Sequence, residues 1–241
     1  MSHVEFDRQA TMIAEQIPLL PEVDRIAAAC RGSGNPAALS WLAECLRLDE
    51  STSVVDLGGG LGGPSEWLRQ HFGCHCINVE VSAGAAAAHV FEAPTIRGCA
   101  EHAPIRTDGV DVALLFGVLS VASRADVVLD ETFRIARRLG LFDYCSTTGT
   151  AVRAGGSTFV SAERLSGQVR AAGWHVVQMA AVTFPPPVAW TDASESIDVE
   201  PEGTETEVIN AIHAGRIVPF VLHATRADKI RPQLAVRSSS S

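Results

Sequence analysis

A chain of 241 residues with 46% apolar side chains has material for one sizeable domain, or one domain with an embellishment. Its formal charge of −9 argues against nucleic acid as the main partner, because phosphate binding needs clustered Lys and Arg. No apolar run reaches the length of a membrane span, Met1 to Arg8 lacks a signal-peptide core, and the six cysteines lie mostly in apolar segments, which reads as reduced thiols in a cytoplasmic protein. The basic side chains are 18 Arg and one Lys, Lys229, a bias of codon usage rather than a binding signal.

In chain order, residues 5–17 and 21–30 read as two short helices separated by Pro18 and Pro21. Asn35-Pro36 reads as a cap followed by a proline at the first helical position, opening a helix to about Leu48. Strand–helix alternation then begins. Strands are expected at 53–57, 76–80, 95–97, 110–116, 139–144, 174–183 and 217–224. Helices are expected at about 63–72, 84–89, 125–138, 161–172 and 205–214. Val110 to Phe116 is nearly all apolar, as suits a parallel strand covered on both faces. Pro219 inside the last strand suggests an edge or a bulge. Phe184 to Trp190 is an extended proline segment, and residues 191–207 hold seven acids and no base. The tail 227–241 ends in four serines and reads as disordered. The division expected is a helical cap over 1–50, a ligand-binding domain over 51–226 with an insertion at 185–215, and the tail.

The chain is organised around Ser53-Val54-Val55-Asp56-Leu57-Gly58-Gly59-Gly60-Leu61-Gly62-Gly63-Pro64-Ser65. Strand, glycine turn and helix together open a nucleotide-type α/β fold, and glycines let a ligand approach the backbone. Two readings compete. Gly58, Gly60 and Gly63 have the spacing of a dinucleotide fingerprint, a weak match by itself. Asp56 with Gly58, Gly60 and Gly62 instead resembles the signature of class I S-adenosylmethionine-dependent methyltransferases. An acid inside a parallel strand is costly without a cationic or donor partner, and an amino group is a suitable one. The helical preface and the final order of helix, strand, insertion, strand also favour the second reading.

Further stretches extend the resemblance over about residues 50–183. Glu80 ends the second strand, where an acid would accept both ribose hydroxyls, although it would serve NAD equally. Gly98-Cys99-Ala100-Glu101-His102-Ala103-Pro104-Ile105, followed by Asp108-Gly109-Val110-Asp111, resembles the stretch that holds adenine in that family. Two departures stand out: Cys99 replaces the usual adenine-contacting Asp, and the usual Pro-Gly-Gly turn before the fifth strand is shortened to Arg138-Leu139-Gly140. The resemblance implies a Rossmann-like α/β fold with a mostly parallel seven-stranded sheet, helices on both faces and a reversed C-terminal hairpin. It implies S-adenosylmethionine as cofactor, S-adenosylhomocysteine as product, and a cofactor site of Asp56, Gly58, Gly59, Gly60, Gly62, Glu80, Val81, Cys99, Ala100, Glu101, Phe116 and Gly117.

Ligands of open α/β sheets sit outside the carboxyl ends of the strands. Asp143 and Tyr144, ending the fifth strand, are therefore the candidate catalytic side chains, against a plainer reading as a turn acid and a packed ring. His102, His213 and Trp190 are weaker candidates for a base or an acceptor pocket. His71, Cys74, His75 and Cys76 crowd like metal ligands, but Cys74 and Cys76 share a strand face that His75 does not, so buried thiols and no metal site are expected. The activity expected is methyl transfer to a small molecule by a monomer or homodimer, without membrane or nucleic-acid partners. The alternatives are a cofactor-binding protein of this fold with different or no chemistry, and an NAD(P)-dependent oxidoreductase.

Overall fold

The computed structural model describes residues 3–30, 36–88, 90–182 and 203–226. The proline segment with Trp190, the acidic run up to residue 202, the cap at Asn35 and the tail from 227 lie outside the described residues. Helices α1 (His3–Gln16), α2 (Glu22–Cys30) and α3 (Pro36–Leu46) come first. The alternating part is β1 (Ser53–Leu57), α4 (Gly63–Phe72), β2 (His75–Glu80), α5 (Ala83–Ala87), β3 (Thr95–Arg97), β4 (Val110–Phe116), α6 (Ala125–Ile135) and β5 (Ala136–Ser146). A hairpin of β6 (Val152–Ala154) and β7 (Ser157–Phe159) follows, then α7 (Ala162–Ala171), β8 (Trp174–Ala181), α8 (Gly203–His213) and β9 (Ile217–Arg226).

Seven strands form one sheet in the order β3-β2-β1-β4-β5-β9-β8. The first five pair in parallel, and β9 runs antiparallel to both β5 and β8, so the reversed C-terminal hairpin is present. The strand order reverses between β1 and β4, which puts the β1 turn and the β4 loop at the switch point where such sheets take ligands. Val112 to Leu115 are completely buried, as a central strand covered on both faces requires. One face is covered by α6 and α7, with Val128, Leu129, Ile135, Leu165 and Val169 packed on Val55, Ala113 and Leu141. The other is covered by α3 and α4, with Leu39, Leu42, Leu46, Trp67 and Leu68 packed on Val54, Leu114 and Phe142. No helix among the described residues is long and apolar enough to cross a membrane.

The stretch 1–50, expected as one cap, divides between two cores. Helix α3 is a layer of the sheet: a Cβ on Gly140 of β5 would stand 2.8 Å from Leu46 and 2.6 Å from Leu114. Helices α1 and α2 instead enclose Ile13, Ile17, Ala28 and Ala29 with Leu61 of the glycine turn and Ala85 of α5. They roof the turn, and the glycine of α5 allows it, since a Cβ on Gly84 would come within 2.5 Å of Thr11 Oγ1 and 2.9 Å of the Asp7 carbonyl.

Three expectations are corrected. Helix α6 ends at Ile135 and β5 starts at once at Ala136, not at 138 and 139, because the ladder with β4 begins at Val110 opposite Ala136. Strand pairing overrides the helical periodicity that continues through Arg138. Pro219 lies neither at an edge nor at a bulge: β9 is interior, and the shift in register lies at Val176–Gln178. The Pro219 carbonyl accepts from Val182 at 2.8 Å, so its missing N–H also faces the β8 side, beyond the last paired residue Ala181, and β5 loses no bond. The β6–β7 hairpin was not expected at all, although Gly155 and Gly156 adopt φ of 58° and 78°, the backbone that a two-residue hairpin turn demands.

Candidate cofactor and acceptor site

Strand β1 delivers the chain to the switch point and the glycines turn it sharply. Gly58, Gly60 and Gly62 have φ of 74°, 56° and 83°, in the left-handed region that other residues rarely adopt. The turn is pinned by its own backbone and by β2: Gly58 N donates to the Val79 carbonyl at 2.7 Å and Gly62 N to the Gly59 carbonyl at 2.9 Å. Side chains press on it from two directions. A Cβ on Gly58 would meet Val118 at 2.7 Å, and one on Gly63 would meet the backbone of Cys30 and Ala29 at 2.7 and 2.8 Å. Gly60 alone faces open space, with nothing within 4 Å of its would-be Cβ. The turn is therefore packed on its underside and open where a ligand would lie.

Asp56 is completely buried at the end of β1. Its Oδ2 accepts from the Ser65 hydroxyl at 3.1 Å, and its Oδ1 has no partner. Burial pushes its pKa up to about 7, against the pull of the Ser65 hydroxyl, and the Glu80 charge adds to the rise. An unsatisfied buried carboxylate oxygen directly under a glycine turn fits a ligand that brings a donor, as the amino group of S-adenosylmethionine does.

Glu80 ends β2 and is buried. Gly60 N donates to its Oε2 at 2.9 Å and Ser82 N to its Oε1 at 2.8 Å. Each oxygen keeps a lone pair, so a pair of vicinal hydroxyls can still be received. Ser82 also caps α5, accepting from Ala85 N at 3.1 Å, and its hydroxyl donates to Asp7 of α1. Val81, between these two anchors, is 45% exposed and offers an apolar surface beside the acid.

The next loop, from Gly98 to Ile105, is folded back by a His102 N to Cys99 carbonyl bond of 3.1 Å and clamped to α6 where Ala103 N donates to Glu131 at 2.8 Å. The Cys99 thiol donates to the Glu101 carboxylate, and burial followed by that carboxylate raises its pKa. The acceptor missing at position 99 is thus available beside it, on Glu101. His102 is exposed.

Beyond β4, Gly117 (φ 68°) donates to the Phe142 carbonyl at 2.8 Å, and Phe116 is buried against Phe142. Asp143 is buried and both its oxygens are taken by backbone donors, Ser120 N at 3.0 Å and Tyr144 N at 2.8 Å. Burial raises its pKa to about 6 despite these bonds. Its geometry is that of a brace for the loop after β4. Tyr144 points to the other face, edge-on to Phe142 and Phe159 with centroids 5.9 and 6.3 Å away. It thereby joins β5 to the hairpin and α8. Gly155 N of the hairpin donates to Glu207 of α8 at 2.8 Å.

The structure thus gathers Asp56, the glycines, Glu80 and Val81 around one turn, with the 98–101 loop beside β2 and Phe116–Gly117 at the adjacent strand end. His213 is exposed on α8. The His71 ring stacks on Trp67 at 4.1 Å, and Cys74 and Cys76 are buried with sulfurs 3.6 Å apart. Among the described residues no group of three or more His, Cys, Asp or Glu could hold a metal ion. Sequence reasoning missed Asn78 and Ser65. Asn78 carried a legible signal, a polar side chain in an otherwise apolar parallel strand.

Residues 55–142 match a family model described as a methyltransferase domain. No curated protein matches the chain in sequence. Among solved structures, the (4+2)-cyclase SpnF is similar at 18% identity and TM-score 0.67, over 79% of this chain and 80% of that one. A geranyl diphosphate C-methyltransferase from Streptomyces coelicolor, solved with S-adenosyl-L-homocysteine, is similar at 14% identity and TM-score 0.63, over 79% and 78%. A phosphoethanolamine N-methyltransferase from Haemonchus contortus, solved with S-adenosyl-L-methionine, is similar at 11% identity and TM-score 0.60, over 79% and 52%. At these identities the structures speak to the fold, and the family model covers the turns after β1, β2 and β4 but ends before Asp143 and Tyr144. Residues 55–142 thus match a methyltransferase-domain model, within a chain whose fold is that of solved S-adenosylmethionine-dependent methyltransferases.

Proposed function

We propose that this enzyme methylates a small-molecule acceptor held at the carboxyl ends of β4 and β5. The observation that carries the reading is the unpartnered Asp56 oxygen beneath an open glycine turn, with Glu80 alongside. In this reading Asp56 and Gly58, Gly59, Gly60 and Gly62 receive the methionine end of the cofactor, Glu80 the ribose, and Val81, Cys99, Ala100 and Glu101 the adenine. Phe116 and Gly117 form the floor beside the sulfonium. Bound S-adenosylmethionine supplies a methyl group on a positively charged sulfur, an electrophile that needs no acid to activate it. The chain's own task is then to hold an acceptor in line and exclude water. Asp143 braces the loop at Ser120, and Tyr144 with the hairpin and α8 lines the acceptor side. A base is needed only for an acceptor protonated at working pH; Tyr144 is the candidate for contact with such a group, as a hydrogen-bonding phenol rather than a base, since burial raises its pKa.

The six free thiols, four of them buried at Cys30, Cys74, Cys76 and Cys145, suit a reducing, cytoplasmic compartment. Calorimetry with S-adenosylhomocysteine and with NADH tests the cofactor, and methyl transfer to a panel including prenyl diphosphates, amines and phenols tests the acceptor. Binding of NADH alone would overturn the reading. The likeness to a protein described as a cyclase favours a second reading, in which the cofactor site is kept for another reaction. Binding of S-adenosylhomocysteine without transfer to any acceptor of the panel would favour that one.

A further inference from the structure

Asn78 lies on β2, two residues before Glu80, and is fully buried. Its Nδ2 donates to the Gly60 carbonyl at 3.2 Å and reaches Thr95 Oγ1, at the start of β3, at 3.4 Å. Its Oδ1 has no partner and projects under Gly59. A Cβ on Gly59 would stand 1.7 Å from that oxygen, 2.7 Å from the Asn78 Cγ and 2.8 Å from Asp56 Oδ2. No L side chain fits there unless the amide moves. Gly59 needs no special backbone angle, since its φ is not among the positive ones. Its glycine is required by the volume of Asn78, whereas the glycines at 58, 60 and 62 answer to backbone conformation.

Gly60 is thereby held through both of its flanking peptides. Its N–H, in the Gly59–Gly60 peptide, donates to Glu80 at 2.9 Å, and its carbonyl, in the Gly60–Leu61 peptide, accepts from Asn78, so two side chains of one strand orient the peptides on either side of the residue that faces open space. We propose that Asn78 is a positioning residue of the cofactor site: by holding the Gly60 carbonyl and filling the space beneath Gly59, it sets the shape of the turn that receives the methionine end of S-adenosylmethionine. The inference rests on the reading of that turn as the cofactor cradle. Asn78 touches no reacting atom. It works through the Gly60 carbonyl and through the space it fills beneath Gly59.

The test is a cycle of Asn78→Gly, Gly59→Ala and the double variant, with S-adenosylhomocysteine affinity from calorimetry and stability from urea unfolding. Asn78→Gly is expected to weaken binding about tenfold, the size of one lost buried hydrogen bond with its shaping effect, while kcat at saturating cofactor changes by less than about twofold. Gly59→Ala alone is expected to lose at least about tenfold in affinity, through the clash with the amide. In the double variant only Asp56 Oδ2 must shift, so affinity returns to within about threefold of Asn78→Gly, a non-additivity that independent stability losses would not produce. Unchanged affinity in Asn78→Gly, or a double variant no better than Gly59→Ala, overturns the proposal while leaving the cofactor site standing. Failure of the unaltered enzyme to bind S-adenosylhomocysteine overturns the cofactor reading and this inference with it. If Gly59→Ala does not fold, recovery of folding and binding in the double variant supports the proposal, and a double variant that does not fold either overturns it.

Discussion

Glu80 receives the backbone N–H of Gly60 across 2.9 Å, joining the end of one strand to the crest of the turn that follows its neighbour. The acid that would bind ribose is therefore also a structural member of the turn that would bind methionine. Removing it should cost more than a pair of ligand contacts. Glu80→Ala is expected to weaken S-adenosylhomocysteine binding more than tenfold, and Glu80→Gln, which can still accept at one oxygen, by less. Calorimetric Kd values decide this, and equal affinities for the two variants and the unaltered enzyme would refute the assignment.

Asp56 gives the site a pH dependence. Its pKa is raised by burial to about 7, so in the free enzyme it takes up a proton as pH falls through neutrality. If the ionised form partners the cofactor's amino group, affinity should tighten from pH 6 to pH 8, and Asp56→Asn should be weaker and flat over the same range. The linkage for folding has the opposite sense. A folded pKa above the unfolded value makes this group's contribution fully present below the unfolded pKa, and it is lost as pH rises through about 7.

Gly63 and Gly149 separate two uses of glycine. A Cβ at Gly63 meets backbone atoms of α2 at 2.7 and 2.8 Å, which cannot turn aside as a side-chain tip can. Gly63→Ala should destabilise by about 1–3 kcal/mol, as overpacking does, with α2 displaced from the turn. Gly149→Ala, with φ of 74° but nothing within 4 Å, should cost about 1 kcal/mol from backbone strain alone. Urea unfolding of both variants, read with cofactor affinity, distinguishes them: only Gly63→Ala should also weaken binding.

His223 on β9 is buried with neither ring nitrogen partnered, edge-on to Trp41 at 6.5 Å. Burial lowers its pKa, and the Arg138 charge pushes the same way. The unfolded chain then takes up the proton first, so this group's stabilising effect is lost as pH falls below the ordinary histidine value of 6.5. His223→Phe should remove that loss, and the gap in unfolding free energy between the variant and the parent should widen from pH 7.5 to pH 5. A gap independent of pH would show that the ring is protonated in the folded state or finds a partner there.

Local pattern was enough for the alternating part of the chain. β1, α4 and β4 begin and end where their apolar periodicity and glycine punctuation put them, because each is a short buried strand or an amphipathic helix whose signal lies within its own residues. The glycine turn, Asp56 and Glu80 were legible for the same reason, being fixed in spacing along one βαβ unit. The start of β5 was not, because α6 runs into it without a turn and only pairing with Val110 decides where helix stops. The hairpin at 152–159 was also missed, since three-residue strands are too short for a period to show.

The sequence by itself determined the class of fold and the ligand family, through motifs whose chemistry is local. Tertiary structure decided what those motifs lean on. Two side chains of β2 hold the two peptides that flank Gly60, α1 and α2 close over Leu61, and Asp143 turns its carboxylate to the loop at Ser120. None of these relations has a spacing that can be read along the chain. Each depends on parallel strands brought side by side, with partners set by the register of the sheet and by which face of it each side chain takes.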